Sequence, residues 1–227
     1  MKKIVVISLG GSIIIPDEIN KFILEKFKKI LNKNTNKYKF VVVCGGGKTA
    51  RNYIDGFSMI PKKEYYQTLF GIAATRLNAK FMTAFVGSNA NKTLPKNMED
   101  IEDYLAKHDI VFCGALRYGR HETSDSTAVK LAHFFDSDFI NITNVQGVYD
   151  KDPKLKNSKY IPEISHDDFY KMAKKIHYKP GQHFIRDQTA AELIKKNNIR
   201  TFILGPDIKQ LDNLLNEKHF VGTIIES

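Results

Sequence analysis

Short apolar runs rich in β-branched residues recur along the chain at 4–9, 40–44, 110–113, 139–143 and 201–204, and each stops at glycine or a polar turn. Runs of this length, bounded in this way, read as buried strands. The stretches between them carry a helical period. Over 17–31, Ile19, Phe22, Ile23, Phe27, Ile30 and Leu31 share one stripe with Lys and Glu opposite. Similar patterns occupy 65–85, 98–107, 126–135, 167–176, 187–197 and 208–215. Strands that alternate with helices must cover a mainly parallel sheet on both faces, so the predicted fold is a three-layer α/β/α sandwich with right-handed crossovers. A final run at 222–226 is expected to add an edge strand. No linker rich in Pro, Gly or Ser divides the chain, and 1–227 reads as one domain.

The charge raises the question of nucleic acid. Thirty-five basic residues against 25 acidic leave +10, yet 29 of the bases are Lys and six are Arg, and bidentate readout of phosphates and bases prefers Arg. The Lys runs fall on polar helix faces, where solvated charge explains them, so no nucleic-acid partner is expected. No apolar run approaches the ~20 residues of a membrane span, and no membrane partner is expected either. Cys44 and Cys113 each end a strand pattern just before glycine, the position of a small buried thiol. Neither they nor the histidines show ligand spacing, so no protein-held metal site is expected. The apolar part of the N-terminal MKKIVVISLGG is too short for a signal sequence and runs into a loop, and the expected compartment is a reducing cytoplasm.

Two strands run directly into phosphate-compatible turns. The first leads to Gly10-Gly11-Ser12. The second leads to Gly45-Gly46-Gly47-Lys48-Thr49-Ala50-Arg51 at the start of a helix. Glycines let backbone N–H groups approach an anion, the helix N-terminus adds its positive end, and Lys48 and Arg51 stand behind it. A P-loop is excluded, because position 42, where its first glycine belongs, is Val. A loose dinucleotide pattern, Gly45-x-Gly47-x-x-Ala50, is satisfied but on the second strand. Further on, Thr123-Ser124-Asp125-Ser126-Thr127 opens a helix with hydroxyls and a carboxylate, a cap that can equally organise an acceptor phosphate. The run 139–153 ends a strand in Thr143 and Asn144, turns through Gly147, and presents Tyr149, Asp150 and Asp152. Tyr149 can stack on a base, and Thr143 and Asp152 can hydrogen-bond a nucleotide.

Taken together, SLGGS (8–12), VVVCGGGKTAR (41–51), GIAATRLNA (71–79), TSDSTA (123–128), ITNVQGVYDKDP (142–153) and VGTIIE (221–226) resemble the amino acid kinase superfamily, and within it the archaeal-type uridylate (UMP) kinases. The resemblance implies an α/β/α sandwich, a homohexamer, ATP with Mg2+ as donor and UMP as acceptor, in pyrimidine nucleotide biosynthesis. By matching position, Gly11, Ser12, Gly47, Arg51, Thr143, Asn144, Tyr149 and Asp152 would serve ATP. Gly46, Thr68, Gly119, Arg120, His121, Thr123 and Ser124 would hold UMP, and Arg51, Lys48 and Asp125 would act on the transfer. The chain departs from the pattern at Thr68, where the family has Asp, and in GALRYGRHETSD (114–125), at Gln146, and at Ser8 and Glu192, where lysines usually stand. Two other readings therefore stand beside UMP kinase: a kinase of this fold with another phosphate or carboxylate acceptor, and a nucleotide-binding regulatory or storage protein without transfer activity.

Overall fold

A computed structural model describes residues 2–61, 63–116, 123–175 and 187–227. In chain order, β1 (Lys3–Leu9) leads through a single turn of helix, α1 (Gly11–Ile14), to α2 (Lys21–Asn34), β2 (Tyr38–Cys44), α3 (Gly47–Gly56), α4 (Glu64–Val86), α5 (Met98–Lys107) and β3 (Ile110–Cys113). Then follow α6 (Ser124–Phe134), β4 (Phe139–Ile142), β5 (Val148–Tyr149), β6 (Tyr160–Ile161), β7 (Glu163–Ser165), α7 (His166–Lys174), α8 (Gln188–Lys196), β8 (Thr201–Leu204), α9 (Lys209–Leu215) and β9 (Gly222–Glu226).

Among the described residues one seven-stranded sheet runs in the order β3-β2-β1-β4-β8-β9-β7. The first five strands are mutually parallel, and β9 pairs antiparallel with β8. Alternation along the strands divides the core between the two faces. Val5, Ile7, Leu9, Phe40 and Val42 pack against Leu24, Phe27 and Leu31 of α2, Met82 of α4 and Leu211 of α9. Val6, Val41, Val43 and Val111 pack against Ile101 of α5, Val129 and Leu131 of α6, Phe169 of α7 and Ile194 of α8. The three-layer expectation holds, and among the described residues no helix is long and apolar enough to cross a membrane.

Three local expectations are corrected. The strand at 222–226 is not at the edge: β7, too short and polar to stand out in the sequence, pairs parallel with its outer side. Helix α2 starts at Lys21 rather than 17, because the Asn20 side chain accepts from the Ile23 N–H at 3.3 Å and caps it there. Its buried face is then set by Leu24, Phe27 and Leu31, while Phe22 is exposed beneath the Lys26 ammonium, 4.0 Å from its ring centroid. Finally, the Gly10-Gly11 turn enters α1 rather than an open loop.

β1 is the strand from which the order departs in both directions, toward β2 and β3 on one side and toward β4 and β8 on the other. Ligands of open α/β sheets gather at the carboxyl ends of strands at such a switch point. The chain closes two turns tightly there. Gly10 N–H donates to Ile142 O and Gly45 N–H to Leu9 O, both at 2.9 Å. A Cβ on Gly11 would lie 1.9 Å from the Gly47 nitrogen, and Gly47 itself has φ +60°. Gly11→Ala is therefore expected to destabilise the protein by about 3 kcal/mol or more in urea unfolding, since backbone, not a yielding side chain, blocks the methyl. Gly56→Ala, with nothing within 4 Å of the added atom, should change stability by less than about 1 kcal/mol.

Candidate active site

The paired turns form one wall. The buried Asn78 side chain donates to Gly45 O at 2.7 Å, and Lys48 N–H donates to Ile15 O at 3.0 Å, so the start of α3 is tied to both α4 and the end of α1. Gly46 is the N-cap of α3, and a Cβ there would meet the Ala50 methyl at 2.4 Å. Arg51, one turn into α3, is half-buried and donates through Nη2 to Pro16 O at 3.1 Å. Gly11, Gly46 and Gly47 are thus brought together with Ser12, Lys48 and Arg51 around them, the clustering that the two Gly-rich turns imply.

The other wall begins at α6. Thr123 caps it, accepting from the Asp125 and Ser126 N–H groups at 3.1 and 3.2 Å, and Ser126 Oγ accepts from the Thr123 N–H at 2.8 Å, which completes a capping box. The Thr123 hydroxyl donates to the Asp187 carboxylate, which also caps α8 by accepting from the Ala190 N–H at 2.9 Å. One threonine therefore joins the first turns of two helices. Ser124 and Asp125 follow it on the same turn, above the ends of β1 and β4.

Asp125 is held from below. Its Oδ1 accepts from Ser8 Oγ at 2.6 Å and from Asn141 Nδ2 at 3.0 Å. Desolvation pushes its carboxyl up from the ordinary carboxylate range to about 7. The hydrogen bond from Ser8 opposes that shift, the negative charge of Asp187 adds to it, and the bond from Asn141 opposes it. A carboxyl so poised changes charge with small changes in its surroundings, which is a common property of functional sites. By contrast, burial raises the thiols of Cys44, well above its usual value, and of Cys113, to about 12, and leaves both as inert packing groups.

Other expected residues lie further along. Thr143 is buried at the end of β4, where its N–H donates to Leu204 O at 2.9 Å and its hydroxyl reaches Asn144 Oδ1 at 3.4 Å. Tyr149 and Asp152 belong to a separate ribbon built on β5 and β6. Thr223 of β9 anchors that ribbon, accepting from Val148 N–H at 2.8 Å and donating to Ile161 O at 2.5 Å. The Tyr149 ring packs 5.6 Å from Tyr160, and the exposed Asp152 caps its own turn at Lys154. Thr68 spends its hydroxyl on Glu64 O of its own helix at 2.8 Å. Gly119, Arg120 and His121 lie outside the described residues. The segment that leads to them is clamped to α4, with Ala115 N–H donating to Thr75 Oγ1 at 3.0 Å.

Ser8, Asn141 and Asp187 complete the environment of Asp125, and none of them stands out in the sequence as a site residue. The available signal was a polar side chain inside an otherwise apolar strand, Ser8 in KIVVISL and Asn141 in FINI.

Comparison with known proteins finds relatives along the whole chain. The profile of the amino acid kinase family matches residues 3–205. The uridylate kinase of Thermoplasma volcanium is 33% identical over 229 residues, covering 100% of this chain and 99% of that protein. The uridylate kinase of Thermococcus onnurineus is 32% identical, covering 98% and 99%. The crystal structure of uridylate kinase from Archaeoglobus fulgidus superposes with a TM-score of 0.83 at 32% identity, over 99% of this chain and 100% of that one.

The raised carboxyl of Asp125 has a stability signature. The unfolded chain loses this proton near the usual carboxylate value, 3.8, and the folded chain keeps it to about 7. Folding stability therefore falls as pH rises between those values and levels off above the upper one. Asp125→Asn should remove that slope, so that the variant gains on the wild type from pH 4 to pH 8. Parallel stability curves for the two proteins over this range would show that the carboxyl is not buried in this way.

Proposed function

The chain belongs to the amino acid kinase family, and from that premise we propose that it is a uridylate kinase, transferring the γ-phosphoryl group of ATP to the phosphate of UMP to give ADP and UDP. The observation that carries the reading is end-to-end similarity to uridylate kinases, with no large segment of either chain left over. Residues 1–227 would act as one catalytic domain.

Phosphoryl transfer asks for in-line placement and for positive charge against the phosphate oxygens, and little covalent work falls to the protein. An oxygen of the UMP phosphate is already a competent nucleophile. It forms the new bond to γ-phosphorus as the bond to the β-bridging oxygen breaks, and ADP leaves. Gly11, Ser12 and Gly47 would give the ATP phosphates backbone N–H groups at the turns. Thr143, Asn144, Tyr149 and Asp152 would hold the nucleoside end. Gly46, Thr68, Gly119, Arg120, His121, Thr123 and Ser124 would receive UMP, with the two hydroxyls at its phosphate end. Arg51 and Lys48 would neutralise charge on the transferring group, in place of the lysines absent at Ser8 and Glu192. Asp125 would orient these groups rather than take a proton.

The donor set fits Mg2+, which takes oxygen ligands and keeps several waters when it arrives on phosphates. Asp125 and Asp187 would face its water shell. When bound, the ion would supply positive charge against the transferring phosphate.

A homohexamer belongs to the same reading. What supports assembly is the outer side of α4, a 23-residue helix, which carries a row of exposed apolar side chains in addition to those that enter the core. Ala74, Ala79, Met82 and Val86 enter the core, while Tyr66, Leu69, Phe70 and Leu77 stand exposed, Leu77 at 61%. Tyr53 and Phe57 of the α3 segment extend the patch, with rings 5.4 and 5.1 Å from Phe70. Isologous contacts between copies bury surfaces of this type.

With Mg-ATP and a panel of nucleoside monophosphates, UDP should form from UMP at ordinary turnover, and failure to accept UMP at any concentration overturns the reading. Arg51→Ala should lower kcat about 100-fold with a smaller change in KM, and an unchanged kcat removes Arg51 from the transfer. Leu77→Asp should shift the mass measured by light scattering toward smaller species, whereas an unchanged mass places the subunit contact elsewhere.

A further inference from the structure

Ser8 of β1 and Asn141 of β4 are partners in register across the parallel pair at the centre of the sheet, and both are closed to solvent, at 0% and 1% exposure. Their donors converge on one atom, Asp125 Oδ1. Among the described residues Asn141 makes no other side-chain hydrogen bond, and its Oδ1 is buried without a partner. Packing does not account for such a residue. An apolar side chain of the same size would fill the position without leaving a buried carbonyl unpaired, which is a cost to folding.

We propose that Asn141 is a positioning residue for the phosphoryl transfer, its amide N–H fixing Asp125 from the sheet so that the second carboxylate oxygen faces the reacting groups. The inference rests on the kinase reading above. A single bond from Ser8 leaves the carboxylate free to turn about its terminal torsion, which has a broad preference. A second donor, fixed on the neighbouring strand, removes that freedom. Asp187, reaching Asp125 from α8, is the one charged neighbour that acts on it among the described residues, and it disfavours the ionised form. Ser8 and Asn141 favour that form, so loss of the Asn141 donor both loosens the carboxylate and keeps it protonated to higher pH.

The test compares wild type, Asn141→Leu, Asp125→Asn and the double variant, with UMP and Mg-ATP. Asn141→Leu should lower kcat about tenfold or more, leave both KM values within about twofold, raise the midpoint of the kcat pH profile, and leave the thermal midpoint unchanged or higher. On the Asp125→Asn background the same substitution should change kcat less than twofold, because its effect passes through that carboxylate. A wild-type kcat and pH profile in Asn141→Leu overturns the inference, as does an equal loss on both backgrounds. Asn141→Val, suited to a strand, guards against a local packing failure. If neither apolar variant folds, Asn141 is a core residue and the inference falls. Absence of UDP from the wild-type enzyme, in contrast, overturns the kinase reading itself.

Discussion

Two strand-to-helix turns leaving neighbouring parallel strands can meet only if neither carries a side chain at the contact. Gly11 and Gly47 approach until an added Cβ on the first would overlap the nitrogen of the second, and one on Gly45 would lie 2.4 Å from the Gly11 nitrogen. This contact fixes where α1 and α3 begin and brings Lys48 and Arg51 to the switch point. It also seals one side of the crevice with backbone, which gives an anion N–H groups where side chains would give bulk. The opposite side depends on a different device. Thr123 and Asp187 lock the first turns of α6 and α8 together, so Asp125 is delivered by a helix start that cannot shift without breaking two caps.

The strands were legible because a doubly covered sheet demands near-continuous apolar runs, and β1, β2, β3, β4 and β8 each supply one. β7 was not legible, since three residues with Glu163 at their head carry no pattern, and its pairing with β9 depends on contacts set elsewhere in the chain. Helix α2 shows the same limit at finer scale. Its apolar residues were visible, but Asn20 decides where the helix begins and hence which of them point inward. Within the site, the glycine turns and the Thr123–Asp125 cap were visible as local motifs. Asn141 and Asp187 were not, because a hydrogen bond across 16 residues, or across 64, has no local signature.

The net charge of +10 is largely a property of the outer surface. Lys2, Lys3, Lys33, Lys171 and Lys195 pair with aspartates on exposed faces, where solvent screening leaves such contacts weak. Lys26 and Lys28 lie over Phe22, which is exposed, and Phe85, which is half-buried against the core, and cover the open faces of the two rings. Lys48 and Arg51, by contrast, gain their place from the glycine turn that precedes them, so their position is set by the fold rather than by composition.

Ser8 gives the central strand a different balance from the one a lysine would impose. An ammonium beside Asp125 would pair with it and hold the carboxyl ionised at all neutral pH values. The hydroxyl of Ser8 and the amide of Asn141 are neutral donors, so they offset only part of the desolvation and of the repulsion from Asp187, and the carboxyl is left near 7. A group so balanced is sensitive to incoming charge. Cations that arrive with a nucleotide would favour its ionised form, and by linkage the ionised form would favour them. On the kinase reading, such a site would couple the charge state of its central carboxylate to occupancy by nucleotide phosphates, which a permanent ion pair at the same position would not do.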